Sequence, residues 1–247
     1  MMVPTLIERF RKEPVDSDAP VLFAISHAGA GASSFSQWRD WMSADVELAA
    51  VRLPGRENRM RETPPGTVED AASQVTEAIE SWCPTEFALF GQCSGALIAF
   101  EVVRELRNRG SRLPQCLFVA SQPPPDAPRE SSEIHLLPDR EFYAELQGIG
   151  VFDADIDYSS PLWNLISPVV RADYAAYGGF SYTDSPPLDV RIVAMVGDRD
   201  HLLTEADVVG WSRQTTRDFK ACTVSGGHII TSSAEEQIVS VLEPPWE

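Results

Sequence analysis

The chain has 247 residues, 43% of them hydrophobic and 23% charged, with 20 basic against 37 acidic side chains and a formal net charge of −17. That balance argues against a nucleic-acid binder, which needs a basic footprint, and against attachment to anionic lipid through a polybasic patch. A chain this long and apolar is expected to fold and to bury about three-quarters of its unfolded surface without a disulfide or metal staple.

Residues 1–18 are too polar to supply the apolar stretch of a signal peptide. No apolar run approaches the roughly 18 residues of a membrane span. A cytoplasmic, reducing location is expected, with Cys83, Cys93, Cys116 and Cys222 as thiols. The four are far apart and form no C-x-x-C pair, so neither a bound metal nor a thioredoxin-type motif is expected.

In chain order, short apolar runs read as buried strands: Val21–Ser26, Leu48–Leu53, Phe87–Phe90, Leu117–Ala120, Val190–Val196 and Ala221–Val224. Helical patterns lie between them. Phe35–Met42 follows a Ser-rich start, and Val68–Trp82 follows Thr67, a suitable N-cap. Gly95–Arg109 ends at Gly110, a suitable C-cap. Ala206–Arg213 and Ala234–Leu242 complete the set. Buried strands alternating with helices predict an α/β fold with a mostly parallel central sheet and helices on both faces.

The stretch from about 122 to 187 breaks the alternation. It is bracketed by Pro123, Pro124, Pro125 and Pro128 on one side and Pro186 and Pro187 on the other. Its middle reads as two helices, Asp139–Leu146 and Leu162–Tyr177, and it is rich in aromatic residues. We read it as a helical insertion on a single domain spanning 1–247, the alternative being two more crossover helices.

The chemistry centres on Phe87-Ala-Leu-Phe-Gly-Gln-Cys93-Ser94-Gly95-Ala. This is strand, then G-x-C-x-G, then helix, the context of a nucleophile elbow. The sharp turn demands small residues two positions either side of the nucleophile. It also leaves the next backbone N–H, that of Ser94, at a helix N-terminus where an oxyanion can form. A frame centred on Ser94 would need Gln92 at a small position, so Cys93 is the expected nucleophile. A buried structural thiol is the competing reading for Cys93, but it fits a mid-strand cysteine such as Cys116 better.

A nucleophile requires a base and an acid, expected in the chain order nucleophile, acid, base. His228, after the last strand in Ser-Gly-Gly-His, can reach the sheet's top edge. His27 fits a loop role, His135 lies in the insertion, and His201 lies beside the expected acid. Gly197-Asp-Arg-Asp200 offers two acids; Asp200 lies further out, and Asp198 is the alternative, with a turn role as its plainer explanation. The acid would orient the imidazole, and the imidazole would activate Cys93. A second oxyanion donor is expected from the loop His27-Ala-Gly-Ala-Gly-Ala32, at the N–H of Ala28. That loop lacks G-K-[ST] and does not match G-x-G-x-x-G, which argues against nucleotide binding.

His27-Ala-Gly, Leu53-Pro-Gly-Arg-Glu57-Asn-Arg59, the elbow, Gly197-Asp-Arg-Asp200 and Gly227-His228 together resemble the type II thioesterases of polyketide and nonribosomal peptide synthesis. The resemblance spans nearly the whole chain. It implies an α/β-hydrolase fold with the 122–187 insertion as a lid, and Asp200 and His228 as acid and base. It also implies acyl or aminoacyl substrates carried on the phosphopantetheine arm of acyl or peptidyl carrier proteins, with no cofactor of the enzyme's own. Carrier domains are commonly acidic too, so docking is expected to rest on apolar contact and local arginines; a monomer is expected. Gln92 and Cys93 depart from the family's usual G-H-S-x-G. Attack of a thiolate on a thioester gives another thioester, a nearly thermoneutral exchange, so transfer between carriers competes with hydrolysis as the outcome. A non-catalytic, carrier-binding homologue is a third reading.

Overall fold

The structure, a computed structural model, describes residues 6–10, 19–128, 133–151, 158–230, 235–242 and 246. Six parallel strands form the body of one sheet: β2 (Val21–Ile25), β3 (Glu47–Val51), β4 (Phe87–Gln92), β5 (Cys116–Ala120), β6 (Arg191–Gly197) and β7 (Phe219–Val224). A seventh, β1 (Ile7–Phe10), pairs antiparallel with β3 at one edge, giving the order β1-β3-β2-β4-β5-β6-β7. The sequence pattern does not announce β1, because Glu8 and Arg9 interrupt its two apolar residues. Its place is fixed by tertiary pairing and by an Arg9–Glu47 ion pair.

Strand side chains alternate between two cores. Val21, Phe23 and Ile25 of β2, with Leu89 of β4, face α1 (Val68–Trp82) and α2 (Ser94–Arg109). Leu22, Ala24, Ala88 and Phe90 face the other side, against Phe35, Trp38 and α6 (Glu235–Leu242). Period-two alternation of wholly apolar strands is what a sheet covered on both faces requires. The Thr67 hydroxyl accepts the Asp70 amide at the start of α1, and Gly110 closes α2 at φ +70°.

One expected helix is corrected. Residues 35–42 form no α-helix; two short 3₁₀ turns, Ala32–Phe35 and Trp38–Asp40, take its place. The i, i+3, i+7 spacing of Phe35, Trp38 and Met42 is real, and all three are buried. Edge-to-face packing of Phe35 and Trp38 on Phe90, over a serine-rich backbone with weak helix propensity, satisfies the same pattern with tighter turns. The 206–213 pattern likewise becomes a single turn, α5 (Glu205–Val208), followed by a 3₁₀ stretch, Val209–Gln214.

Between β5 and β6 the chain carries α3 (Asp139–Ile149) and α4 (Pro161–Gly179). Phe142, Leu146, Trp163, Val170 and Tyr174 form a third core, separate from the two on the sheet, and Ala28 joins it. Phe142, Tyr143, Trp163 and Tyr174 of the insertion are spent on this core, whereas Tyr177, Phe180 and Tyr182 pack onto the sheet side. Phe152 lies outside the described residues.

The strand order locates the site. From β2 the chain goes to β3 on one side, then to β4 on the other, so the winding direction reverses between β2 and β4. A crevice opens beyond the carboxyl ends of strands at such a switch point. The loop 27–31 leaves β2 there, and Cys93 follows β4 there.

Candidate active site

β4 ends at Gln92 and α2 begins at Ser94, so the chain reverses within a single residue. Cys93 takes φ +51° and ψ −124°, a conformation non-glycine residues avoid. The reversal brings backbone against backbone. A Cβ on Gly91 would lie 2.3 Å from the Gly95 carbonyl oxygen, and one on Gly95 would lie 2.4 Å from that of Ser26. Both glycines are therefore dictated by contact, and the Cys93 amide is anchored on the Ala120 carbonyl at 2.8 Å. Cys93 is half-buried, Cys116 is buried within β5, Cys222 is half-buried and Cys83 is exposed.

His228 and Asp200 come together from the loops after β7 and β6. Nδ1 of His228 lies 2.9 Å from Oδ2 of Asp200, while Oδ1 of Asp200 accepts the amides of Leu202 and Leu203 at 2.9 and 3.1 Å. Burial works against ionisation of Asp200, but its bond from His228 and those two amides outweigh it and hold its pKa below the ordinary value. Burial also disfavours the His228 cation, yet the hydrogen bonds to Asp200 and Cys93, and the negative charge of both, raise its pKa from 6.5 to about 9. Asp198 does different work: its carboxylate accepts the Gly226 amide at 2.8 Å and shapes the glycine turn that precedes His228. Gly197 packs so closely on that turn that a Cβ would lie 2.3 Å from the Gly227 carbonyl oxygen.

Ile25 pairs with Gly91 in the β2–β4 register, so the turn 27–30 and the start of α2 leave the same sheet edge side by side. Among the described residues neither the Ala28 nor the Ser94 amide donates to a protein acceptor. His27, at the head of the loop, is buried. Desolvation, then the charge of His228, lowers its pKa to about 4 despite a bond to the Val151 backbone, so it is neutral at pH 7. His135 belongs to the insertion, and His201 is exposed.

Several residues at this site have no role that the sequence alone assigns. Tyr174 of α4 is buried near Cys93; desolvation, then the Cys93 charge, push its hydroxyl pKa well above the ordinary value. Arg56 and Asp173 form a buried ion pair at 2.9 Å beside the loop 27–31. Arg56 lies within a run that is distinctive only as a whole, and Asp173, on an amphipathic helix, offers no local signal. A small pocket opens beside Ser94, lined by His27, Ile98, Asp173, Ala176 and Tyr177 among others. Among the described residues no group of three or more His, Cys, Asp or Glu side chains could hold a metal ion, and no helix is long and apolar enough to cross a membrane.

Residues 20–245 match the family model described as "Thioesterase domain". The chain is 31% identical over 221 residues to the gramicidin S biosynthesis protein GrsT of Aneurinibacillus migulanus, covering 90% of this chain and 86% of that one. It is 32% identical over 233 residues to thioesterase PikA5 of Streptomyces venezuelae, covering 94% and 82%. Among solved structures it resembles the RedJ thioesterase of the prodiginine pathway in Streptomyces coelicolor, with a TM-score of 0.87 and 30% identity over 93% of this chain and 92% of that one. BorB, the type II thioesterase from the borrelidin cluster, gives 0.84 and 28% over 98% and 96%. The fold is that of the α/β-hydrolases, and the chain belongs to the thioesterase family.

Proposed function

We propose that the protein is a stand-alone type II thioesterase that removes acyl or aminoacyl groups from the phosphopantetheine arm of carrier proteins in polyketide or nonribosomal peptide synthesis, through an acyl-enzyme on Cys93. The observation that carries this is Cys93 at the strained elbow, near enough to His228 to favour its cation, with His228 itself held by Asp200. The relatives named for gramicidin S biosynthesis and for the borrelidin cluster support this reading, and the substrate class is what the family resemblance implies.

The Cys93 sulfur attacks the thioester carbonyl, and the Ala28 and Ser94 amides receive the oxyanion. As the tetrahedral adduct collapses, the His228 imidazolium gives its proton to the departing phosphopantetheine thiol. Neutral His228 then takes a proton from water, which attacks the acyl-enzyme and releases the free acid and the Cys93 thiol. Asp200 fixes the imidazole tautomer and favours its cation throughout. No metal or cofactor enters this scheme, and a cytoplasmic monomer is part of the same reading.

Intact mass after mixing with an acyl-carrier thioester should show an acyl adduct in the wild type and none in Cys93→Ala. Absence of adduct and turnover with every acyl-carrier tried would favour a non-catalytic, carrier-binding homologue. The cysteine itself favours a second reading, an acyl or aminoacyl shuttle between carriers, because thioester exchange is nearly thermoneutral where an oxoester intermediate is not. Transfer to a second holo-carrier faster than free-acid release would select it over plain hydrolysis.

A further inference from the structure

The loop after β2 is a β-turn. The Ala30 amide donates to the His27 carbonyl at 3.1 Å, and Gly29 takes φ +81°, as the third position of a type II turn requires. Type I and type II turns differ in the orientation of their middle peptide, here the one joining Ala28 to Gly29. The contacts that hold that peptide come from outside the turn. Oδ2 of Asp173, on α4, accepts the Gly29 amide at 2.7 Å. Oδ1 of Asp173 accepts Nη2 of Arg56 at 2.9 Å, and Nη1 of Arg56 donates to the Ala30 carbonyl at 3.0 Å. One ion pair thus grips an amide and a carbonyl of adjacent loop residues and closes a ring with them. The pair is buried, its side chains 7% and 11% exposed, and α4 sits so close that a Cβ on Gly29 would lie 2.7 Å from Cγ2 of Val170.

A buried ion pair is weak evidence for a stabilising role, because desolvation cancels much of its attraction. Here its charge-assisted bonds are directed at the loop that carries Ala28. We infer that Asp173 and Arg56 are positioning residues: they fix the 28–29 peptide, and so the aim of the neighbouring Ala28 amide at the thioester oxygen, and they make that aim depend on α4 being seated. The inference rests on the reading of Cys93 as nucleophile and Ala28 as oxyanion donor. It gives the insertion a part in the chemical step beyond covering the site, since displacing α4 withdraws Asp173 from the loop.

The test compares two reactions of Cys93 in the full-length protein. Acyl transfer builds an oxyanion; alkylation by iodoacetamide forms an S–C bond, expels iodide and builds none. In Asp173→Asn and Arg56→Gln, kcat for a soluble acyl thioester should fall about 100-fold, as small misplacements of a catalytic group do, with KM changed less than about threefold. The rate of Cys93 alkylation should stay within about twofold of wild type, because the thiol itself is untouched. Arg56→Lys should lie between, since an ammonium cannot reproduce the planar fork that spans Asp173 and Ala30. Undiminished turnover in Cys93→Ala would overturn the underlying reading and the inference with it. With Cys93 essential, wild-type kcat in both pair variants, or equal losses of turnover and alkylation, would overturn the inference alone. Should the variants fail to fold, amide exchange in the wild type decides: Gly29 should exchange as slowly as the amides of α4, and exchange at the rate of an open loop would overturn it.

Discussion

Gln92 donates its side-chain amide to the backbone carbonyl of His228 over 3.1 Å, in a fully buried position. The residue just before the elbow therefore holds the main chain of the histidine that follows β7. This bond gives a physical reason for an amide where the family resemblance implies a histidine. Gln92→Leu keeps the volume and removes the donor, leaving the His228 carbonyl without it at a cost of about 1–3 kcal/mol. Thermal unfolding should fall by several degrees, and kcat/KM should drop by about tenfold as the imidazole loses its support. Unchanged melting and unchanged rate would show that the bond holds nothing.

The elbow glycines make a sharper case. A Cβ at Gly91 or Gly95 would meet backbone atoms at 2.3 and 2.4 Å, and backbone cannot swing aside as a side chain can. Gly91→Ala and Gly95→Ala should each cost about 3 kcal/mol or more, the upper range of overpacking, and reduce yields of folded protein. Gly110→Ala is the control. Its φ of +70° makes alanine unfavourable, but nothing lies within 4 Å of the added carbon, so only about 1–2 kcal/mol should be lost. Equal denaturation midpoints for all three variants would contradict the steric account of the elbow.

These glycines also show which features the amino-acid sequence makes legible by itself. The elbow, the last glycine-rich loop and the buried strands are written in local composition, because steric and solvent demands act residue by residue there. The Phe35–Met42 pattern names the buried residues correctly and the wrong helix type, since periodicity reports which side chains turn inward and not how tightly the backbone turns. β1 is illegible because a charged edge strand exists only through its partner. Asp173 is illegible for the same reason: its meaning lies in Gly29 and Arg56, 144 and 117 residues away in sequence.

Cys93→Ser separates the two outcomes of the proposed acyl-enzyme. An oxoester on serine is lower in energy than the carrier thioester, so loading becomes downhill and return to a second carrier uphill. The serine variant should keep measurable hydrolysis of an acyl-carrier while transfer to a second holo-carrier falls by about tenfold or more, the penalty of each 1.4 kcal/mol added to that step. The partition ratio of free acid to transferred acyl group is the quantity to measure. An identical ratio in wild type and variant would remove thioester exchange as the reason for a cysteine at this position.

The pH dependence should follow His228. Its pKa in the folded protein is raised from 6.5 to about 9, so the stabilisation from its pairing with Asp200 and Cys93 is complete below about 6.5 and is lost as pH climbs through about 9. In the proposed mechanism the acylation step uses the same cation, which protonates the departing thiol. The single-turnover burst of thiol release should therefore hold through neutral pH and decline above about pH 9. Asp200→Asn removes the Asp200 bond and negative charge that favour the imidazolium, leaving only Cys93 to offset burial. The decline should then move to lower pH, and the alkaline fall of the melting temperature should weaken. A burst that declines at the same pH in both proteins would mean that His228 is not the proton donor, whatever its distance from Asp200.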